Sequence, residues 1–405
     1  MKRRNILMLP GPNEPYPEIM SELRRMVLPH YDEDWEEVYI KTCEELKRIF
    51  MTSDGRVIIW PCSGASAAEL VAANIIGEGD KIINLRNGFF GDVLENKVRT
   101  YGGKVVSVEA EFGRSIDPED VRRAVKENRD AKAMFVVHNE TSSGIANPIR
   151  EVGEIAEENG MLLVVDAVSS FGGMELRMDK WNIDACIGYA SKCLGSIGAL
   201  SPIAFSEDCW KLAEREGRKV KPYFLSLEAW ESMRWGGPHP LTMPTLNVLA
   251  LRMAVHLALR EGLEDRFKRH RIAGKAFREG VRAMGLSVLP SEEDAGDSVT
   301  AVLVPQGTEN QIRRLLKERF NIMVGGSLGK YGKGRLLRVG HMGLTASPEY
   351  VLPTLYALEQ TVREVCKMET RNESVQAALE VFKTKPEEWV NALLARYSQK
   401  YLPEF

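Results

Sequence analysis

The sequence of 405 residues lacks the features of a membrane, secreted or nucleic-acid-binding protein. No stretch reaches the ~18 apolar residues that a membrane span requires. The basic start of the chain breaks between Pro10 and Pro12, before the apolar segment of a secretory signal can form. Its 54 lysines and arginines and 57 aspartates and glutamates are interleaved, and the formal net charge is −3. No basic face for nucleic acid or anionic lipid is therefore expected, and small-molecule partners are favoured.

Cysteine is scarce, with six residues in the chain and no C-x-x-C pair. The spacing of the cysteines matches neither a zinc site nor a disulfide framework, so no metal is expected. Free thiols are typical of a reducing compartment, and we expect the protein to reside in the cytoplasm. The cysteines are Cys43, Cys62, Cys186, Cys193, Cys209 and Cys366.

What the sequence does contain is a regular alternation of short apolar runs and helix-like stretches between about residue 16 and residue 205. This pattern predicts an α/β fold with a mostly parallel sheet flanked by helices. The stretches between the runs end near glycine or aspartate, as helix C-termini do. The predicted strands lie in RVIIWPCSG, DKIINLRNG, GKVVSVEA, AKAMFVVHNE, GMLLVVDAVSS, IDACIGYAS and ALSPIAFS.

A loop rich in glycine and proline, RWGGPHPLTMPT, precedes a long helical stretch that starts at residue 245. The stretch predicts one long helix or two abutting helices, and it is the candidate connection between two domains. Strand-like and helix-like segments alternate again beyond it, which predicts a second, smaller α/β domain. The predicted units are an N-terminal arm at 1–15, a large domain at 16–260, a small C-terminal domain at 261–368 and a helical tail at 369–405.

Four of the apolar runs end in polar residues that could bind a ligand, since open parallel sheets bind ligands beyond the carboxyl ends of their strands. One run ends at Asp166, a second leads to Lys192, a third opens a helix through residues 63–65, and a fourth ends in the cluster 138–143. Taken alone, Asp166 and Lys192 are equally compatible with a structural ion pair and with catalysis.

Pyridoxal phosphate makes three demands that these residues meet together: an amine for its aldehyde, an acid for its ring nitrogen and an anion site for its phosphate. Lys192 would carry the aldehyde as an imine and, once freed, move a proton between the substrate and the cofactor, with a pKa lowered by partial burial. Asp166, kept ionised, would hold a proton on the ring nitrogen. The backbone amides at Ser63, Gly64 and Ala65 would bind the phosphate, although these residues also fit a plain helix N-cap with a tight turn.

Three further side chains have both a functional and a structural interpretation. Phe90 follows another predicted strand and could stack on the cofactor ring or simply pack in the core. Arg338 closes a predicted strand of the small domain and could clamp a substrate carboxylate or lie on the surface. His138 lies near a strand end, where a lone histidine is usually structural.

Several motifs in this sequence resemble those of one enzyme family. They are VVDAVSSFGG followed by SKCLG, HNETSSGIANPI, and GGSLGKYGKGRLLRVGHMG, and the likeness covers about the first 350 residues. The family is that of the class V aminotransferases of fold type I, especially the alanine–glyoxylate and serine–pyruvate aminotransferases. The pyridoxamine–pyruvate branch is similar through the same segments.

The resemblance implies a fold type I enzyme that uses pyridoxal 5′-phosphate and works as a homodimer with shared active sites. It implies Lys192 as the lysine that holds the cofactor, Asp166 at the ring nitrogen and Arg338 at the substrate carboxylate. It further implies that His239 and Thr242 reach the phosphate of the neighbouring subunit. The other positions it assigns to the cofactor are Ser63, Gly64, Ala65, Phe90, Thr141 and Ser191.

Some positions depart from the family pattern. Phe90 and His239 stand where alanine–glyoxylate enzymes typically carry Trp and Tyr, and Ser191 stands where many carry Gln. Ring stacking and phosphate contacts are therefore expected to be weaker or differently shared. The pyridoxamine–pyruvate branch carries an acidic residue where this chain has Ser63, which favours a phosphorylated, tightly held cofactor here.

The leading hypothesis is a ping-pong transfer of an amino group from alanine or serine to glyoxylate or pyruvate. Pyridoxamine or another unusual amine is the alternative donor. A cysteine desulfurase or related lyase would need a nucleophilic cysteine in the small-domain loop, and NIMVGGSLGKYGKGR has none. A nucleotide-binding enzyme is disfavoured because the turn after VIIWP lacks both G-x-G-x-x-G and a P-loop, whereas a non-catalytic binding protein with this fold stays open.

Overall fold

The computed structural model describes residues 5–215, 223–227, 229–230, 241–370 and 372–383. The strands are β1 Ile6–Met8, β2 Arg56–Trp60, β3 Lys81–Arg86, β4 Lys104–Glu109, β5 Ala133–Val137, β6 Asn139–Glu140, β7 Ile145–Ala146, β8 Leu162–Asp166, β9 Ala185–Ile187, β10 Ser201–Phe205, β11 Ser287–Val288, β12 Val299–Leu303, β13 Ile322–Val324 and β14 Leu336–Gly340. The helices are α1 Pro17–Glu22, α2 Glu33–Phe50, α3 Gly64–Ile75, α4 Phe89–Thr100, α5 Pro118–Glu127, α6 Ile149–Glu158, α7 Glu207–Arg215, α8 Thr245–Glu261, α9 Leu263–Ala283, α10 Glu309–Phe320, α11 Pro348–Cys366 and α12 Ser374–Phe382.

The central sheet has the strand order β2-β10-β9-β8-β5-β3-β4. β4, β3, β5, β8 and β9 run parallel, and β10 is antiparallel to both of its neighbours, β9 and β2. The predicted α/β class with a mostly parallel sheet is confirmed. Each of the seven predicted apolar runs contains one strand of this sheet.

The central strands are buried on both faces, which explains why they read as continuous apolar runs rather than as an alternation. Every residue of β5 and of β10 is buried, as are the last four residues of β8. Helix α3 packs closely because its sequence, GASAAELVAANI, is rich in alanine. A single large core results, with members from Ile19 to Ala258.

A second core surrounds the small antiparallel sheet β11-β12-β14, together with helices α9 to α12. The predicted strand NIMVGG forms β13, which does not join that sheet. It pairs in parallel with β1, and Met8 of β1 is fully buried in the second core. Met8 of the N-terminal segment is thus part of the small-domain core. The domain boundaries given above stay a prediction.

The long helical stretch after residue 245 consists of two abutting helices, α8 and α9. Gly262 separates them with a φ of +86°, a left-handed conformation that glycine adopts without steric cost. In the C-terminal tail, α12 is the first of the two short helices that the sequence predicts, and the second lies outside the described residues. None of the helices in the described ranges is long and apolar enough to cross a membrane.

Candidate active site

Asp166 and Lys192 lie together at the carboxyl edge of the central sheet. Asp166 is the last residue of β8, and its register partners are Val137 in β5 and Ile187 in β9. The chain continues from β9 into a loop that carries Lys192. The charge of each residue influences the ionisation of the other, so the two side chains are close enough to interact electrostatically.

The Asp166 carboxylate is 9% exposed, and this burial raises its pKa to about 6. A hydrogen bond from the Val168 backbone N–H to Asp166 Oδ1, 2.9 Å long, opposes the rise, whereas the charge of Glu140 adds to it. Asp166 is therefore mostly ionised at neutral pH but at an energetic cost to the folded chain. A cation facing this carboxylate would be strongly favoured.

The Lys192 side chain is half-buried, and desolvation lowers the pKa of its amine to about 8, with a further contribution from the charge of Arg338. Its Nζ donates a hydrogen bond to the carbonyl oxygen of Pro10. The carbonyl oxygen of Lys192 in turn accepts from Asn13 Nδ2 at 2.7 Å. The N-terminal segment therefore holds both ends of this lysine.

Gly11 leaves the space that the Lys192 side chain occupies. A Cβ at position 11 would lie 2.3 Å from Cε and 2.5 Å from Nζ of Lys192, and the φ of Gly11 is +108°. Sequence reasoning assigned residues 1–15 to an arm and missed this contact. The signal was present in LPGPNEP, where glycine between two prolines indicates a fixed, unusual backbone path.

Helix α3 presents an open N-terminus beside Asp166. Ser63 is its N-cap, and Ser63 Oγ accepts a weak 3.4 Å hydrogen bond from Ser66 N. The amides of Gly64 and Ala65, at the first two helical positions, have no acceptor in the part of the chain that the structure describes. A Cβ on Gly64 would lie 2.5 Å from Cγ2 of Val168, so glycine lets this helix start approach the segment after Asp166.

Phe90 lies in the first turn of α4, and its half-buried ring makes an edge-to-face contact with Phe89, with ring centroids 5.3 Å apart. The backbone N–H of Phe90 donates to Oε2 of Glu140 at 3.0 Å. The backbone at Phe90 is thus tied to the same loop that carries Thr141. Thr141 is 4% exposed.

Arg338 is buried at 8% exposure, so the interpretation as a surface arginine is wrong. Burial lowers the pKa of its guanidinium to about 10. Its Nε donates to Gly326 O at 2.6 Å, and its Nη1 donates to Thr141 O at 3.3 Å. Arg338 therefore brings a strand of the small domain to the Thr141 loop and stands within electrostatic range of Lys192.

The remaining predicted residues are less closely linked to this group. Ser191 is buried next to Lys192 in the chain. Thr242 is exposed just before α8, and no contact within the described ranges joins it to the others. His239 lies outside the described residues. His138 is buried, its pKa is lowered to about 4 by desolvation, and its ring packs edge-to-face on Trp181, which supports a structural role.

A buried arginine that sequence reasoning missed holds the active-site loops in place. Arg266 in α9 is 1% exposed. Its Nη2 donates to the carbonyl oxygens of Cys193 at 2.7 Å and Leu194 at 3.1 Å, and its Nε donates to Gly172 O at 2.6 Å. These carbonyls lie in the loops that follow Lys192 and Asp166. Nothing local in the sequence marks Arg266 for this role, because the three backbone carbonyls that it binds are more than 70 positions away.

The model of the family described as aminotransferase class-V matches residues 14–331 of this chain. The chain belongs to the class V aminotransferase family. It is therefore an enzyme of amino-group transfer with the fold type I architecture that the sequence resemblance implied. Enzymes of this family depend on pyridoxal phosphate.

Three relatives illustrate how closely this class V aminotransferase matches known proteins. An uncharacterized aminotransferase of Methanocaldococcus jannaschii is 35% identical over 93% of this chain and 97% of its own. The structure of ureidoglycine–glyoxylate aminotransferase from Bacillus subtilis has a TM-score of 0.89 and 30% identity over 95% of this chain and 99% of its own. The structure of pyridoxamine–pyruvate aminotransferase from Mesorhizobium loti has a TM-score of 0.90 and 30% identity over 94% and 98%.

We predict that Gly11→Ala lowers kcat/KM for transamination by at least about tenfold, because the new methyl group displaces the Lys192 amine. Gly113→Ala is a matched control: Gly113 has a similar φ of +104°, but the nearest atom to its added Cβ is Leu289 Cδ1 at 3.1 Å. Initial rates and thermal unfolding of both variants separate backbone strain from the effect on the lysine. Equal losses of activity in the two variants would contradict this explanation.

We also predict that Asp166→Asn stabilises the cofactor-free protein at pH 8 by about 2–3 kcal/mol while it cripples turnover. The pKa of Asp166 rises from 3.8 to about 6 in the folded chain, so ionisation at pH 8 favours the unfolded state. The asparagine removes that penalty. Its advantage should shrink as the pH falls below 6 and vanish below the unfolded value of 3.8, where both states are protonated. Urea unfolding at several pH values measures this difference in the free energy of unfolding. A variant less stable than the unmutated protein at pH 8 would refute the argument.

Proposed function

We propose that this enzyme holds pyridoxal 5′-phosphate on Lys192 and transfers the amino group of a small amino acid, such as alanine or serine, to glyoxylate or pyruvate. The observation that carries the proposal is the convergence of three groups at one sheet edge. They are an amine whose pKa is lowered to about 8, a carboxylate that is buried without a full counter-charge, and an open helix N-terminus. These groups fit the aldehyde, the ring nitrogen and the phosphate of the cofactor.

The fit extends to the shape of the site. Glycine at position 64 allows the start of α3 to approach the Asp166 segment, and glycine at position 11 leaves room for the lysine. The free amides of Gly64 and Ala65, with Ser63, would bind the phosphate, since a helix N-terminus favours an anion. Asp166 would face the ring nitrogen. From the family resemblance, Phe90, Thr141 and Ser191 would surround the ring, and His239 and Thr242 would reach the phosphate from a second subunit.

Pyridoxal phosphate, when bound, supplies an electron sink and a carrier for the amino group. The chain supplies the proton transfers and the orientation of the substrate. Lys192 Nζ, with its pKa near the working pH, can take a proton from the substrate α-carbon and return it, as a general base and acid must. Asp166 stays ionised at neutral pH and so stabilises positive charge on the ring nitrogen.

Arg338 supports a substrate with one carboxylate near the reacting carbon. Its guanidinium is buried and has two donor contacts to backbone carbonyls, which leave further N–H groups for a carboxylate. The two relatives of solved structure use glyoxylate and pyruvate, which are both small 2-oxo monocarboxylic acids. The same acceptor class suits this site.

We further propose a homodimer that works in the cytoplasm. The segment 26–31 between α1 and α2 exposes Met26, Val27 and Tyr31 at 88%, 69% and 85%, an apolar surface that a second subunit could cover. None of the six cysteines, all of which lie in the described ranges, forms a disulfide, and this supports a reducing compartment. Sedimentation of the full chain is expected to give a two-chain mass, and Val27→Asp is expected to shift it towards one chain. A single-chain mass for the unmutated protein would exclude the dimer.

The decisive test of the proposed function is the covalent bond at Lys192. Protein purified with vitamin B6 supplied, then reduced with borohydride and digested, should carry the cofactor mass on the peptide that contains Lys192. Lys192→Ala should lose that adduct and nearly all activity. The control is Lys126→Ala, a variant at an exposed lysine of α5, which should keep the adduct. Absence of the adduct from unmutated protein would refute the proposal.

A screen of amino donors against glyoxylate and pyruvate then identifies the substrates. Alanine and serine are expected to give the highest kcat/KM values, and Arg338→Lys should raise the KM of both the amino acid and the 2-oxo acid, because lysine lacks the planar fork that grips a carboxylate. Preference for pyridoxamine over every amino acid would instead favour the alternative donor class.

A further inference from the structure

The fully buried carboxylate of Glu140 has no role in the proposed mechanism. Glu140, in β6, is 0% exposed and accepts four hydrogen bonds. Its Oε2 accepts from the backbone N–H of Phe90 at 3.0 Å and of Gly91 at 3.1 Å. Its Oε1 accepts from N and Oγ of Ser142 at 3.0 and 2.6 Å. All four groups donate, so the site is built for the ionised form, although burial raises the pKa of this carboxyl group.

Glu140 caps helix α4 from outside the helix. The N-cap position of α4 is Gly88, which has no side chain to accept a hydrogen bond. A Cβ at position 88 would lie 2.5 Å from Cγ of Glu140, so glycine is required for the carboxylate to reach the helix. Ser142 Oγ accepts from Phe89 N at 3.0 Å. The first three amides of α4 are thus satisfied by the loop that carries Thr141.

The N-termini of α3 and α4, at this edge of the site, therefore differ in what their first amides bind. The start of α4 is filled by the protein's own anion, whereas the first amides of α3 bind no acceptor within the described ranges. Among the described residues nothing competes with an external anion such as a phosphate for Gly64 and Ala65, whereas Glu140 excludes it from α4.

Glu140 also acts electrostatically on two charged residues of the site. Its charge favours the protonated form of both Arg338 and Asp166. Arg338 is bound to the Glu140 loop through Thr141 O. If the charge of Glu140 were removed, the buried guanidinium would lose a balancing anion, and the two hydrogen bonds from the first turn of α4 to Oε2 would weaken.

We propose that Glu140 is a positioning residue for transamination: it fixes the first turn of α4, which carries Phe90, and the Thr141 loop relative to Asp166, and it balances the buried charge of Arg338. The proposal rests on the proposed function in so far as Phe90 and Thr141 contact the cofactor. The electrostatic link between Glu140 and Asp166 is independent of any cofactor.

The test compares Glu140→Gln with Glu359→Gln. Glu359 is a matched control because it is 2% exposed and also caps a helix, through N and Oγ of Ser374, but it lies in α11, whose buried apolar residues belong to the second core. We expect Glu140→Gln to raise the dissociation constant of pyridoxal phosphate by about tenfold, as for loss of a charge-assisted hydrogen bond, and to change the visible circular dichroism of the bound cofactor. Glu359→Gln should leave the dissociation constant and the dichroism signal within about twofold of the unmutated values, even if it loses as much thermal stability as Glu140→Gln.

A second measurement uses the cofactor-free protein. The stability gained by Asp166→Asn at pH 8 should be smaller in the Glu140→Gln background, because one cause of the penalty on Asp166 is already gone. Ser142→Ala is a milder variant that should shift both readouts in the same direction if Glu140→Gln does not fold. Unchanged cofactor affinity and dichroism together with additive stabilities would overturn the proposal. Failure of the Lys192 adduct would remove the proposed function but leave the Glu140–Asp166 coupling in place.

Discussion

The burial of two ionisable groups of opposite charge, Asp166 and Lys192, at the edge of a parallel sheet is the constraint on which the rest of the site depends. Burial pushes the carboxylate and the amine towards their neutral forms, so the pKa values of the two groups move towards each other, to about 6 and about 8. Parallel strands make this possible because β8 and β9 end at the same edge. The low dielectric that makes these charges costly is also what makes them chemically useful near neutral pH.

The sequence predicted the elements whose signals are local. Fully buried strands read as apolar runs, and Asp166 and Lys192 were found because each follows such a run. The antiparallel direction of β10 and the pairing of β13 with β1 could not be predicted, since both depend on partners far away in the chain. Arg266 escaped for the same reason, since it looks like an ordinary surface residue until its distant backbone partners are known. Glu140 lies in the cluster 138–143 that the sequence singled out, but its role depends on backbone partners 50 positions away.

Glycine is used here to make room for charged side chains rather than only to form turns. Gly11 admits the side chain of Lys192, and Gly88 admits that of Glu140. In both places an alanine would collide with a functional group rather than with inert packing. A long ionisable side chain can be held in one orientation when the opposing backbone has no Cβ, and such an arrangement reduces the conformational entropy lost when substrate binds.

The pairing of β1 with β13 has a consequence for biosynthesis. Ile6 pairs with Ile322, so the first strand leaves the ribosome more than 300 residues before its partner exists. Until then the segment that contacts the lysine has no sheet to join, although the strands of the central sheet are already complete. Contacts between such distant positions form late because closing a long loop is entropically costly. The contact with the lysine is therefore expected to be completed only after the chain is nearly finished, which keeps a half-made polypeptide from acquiring a working site.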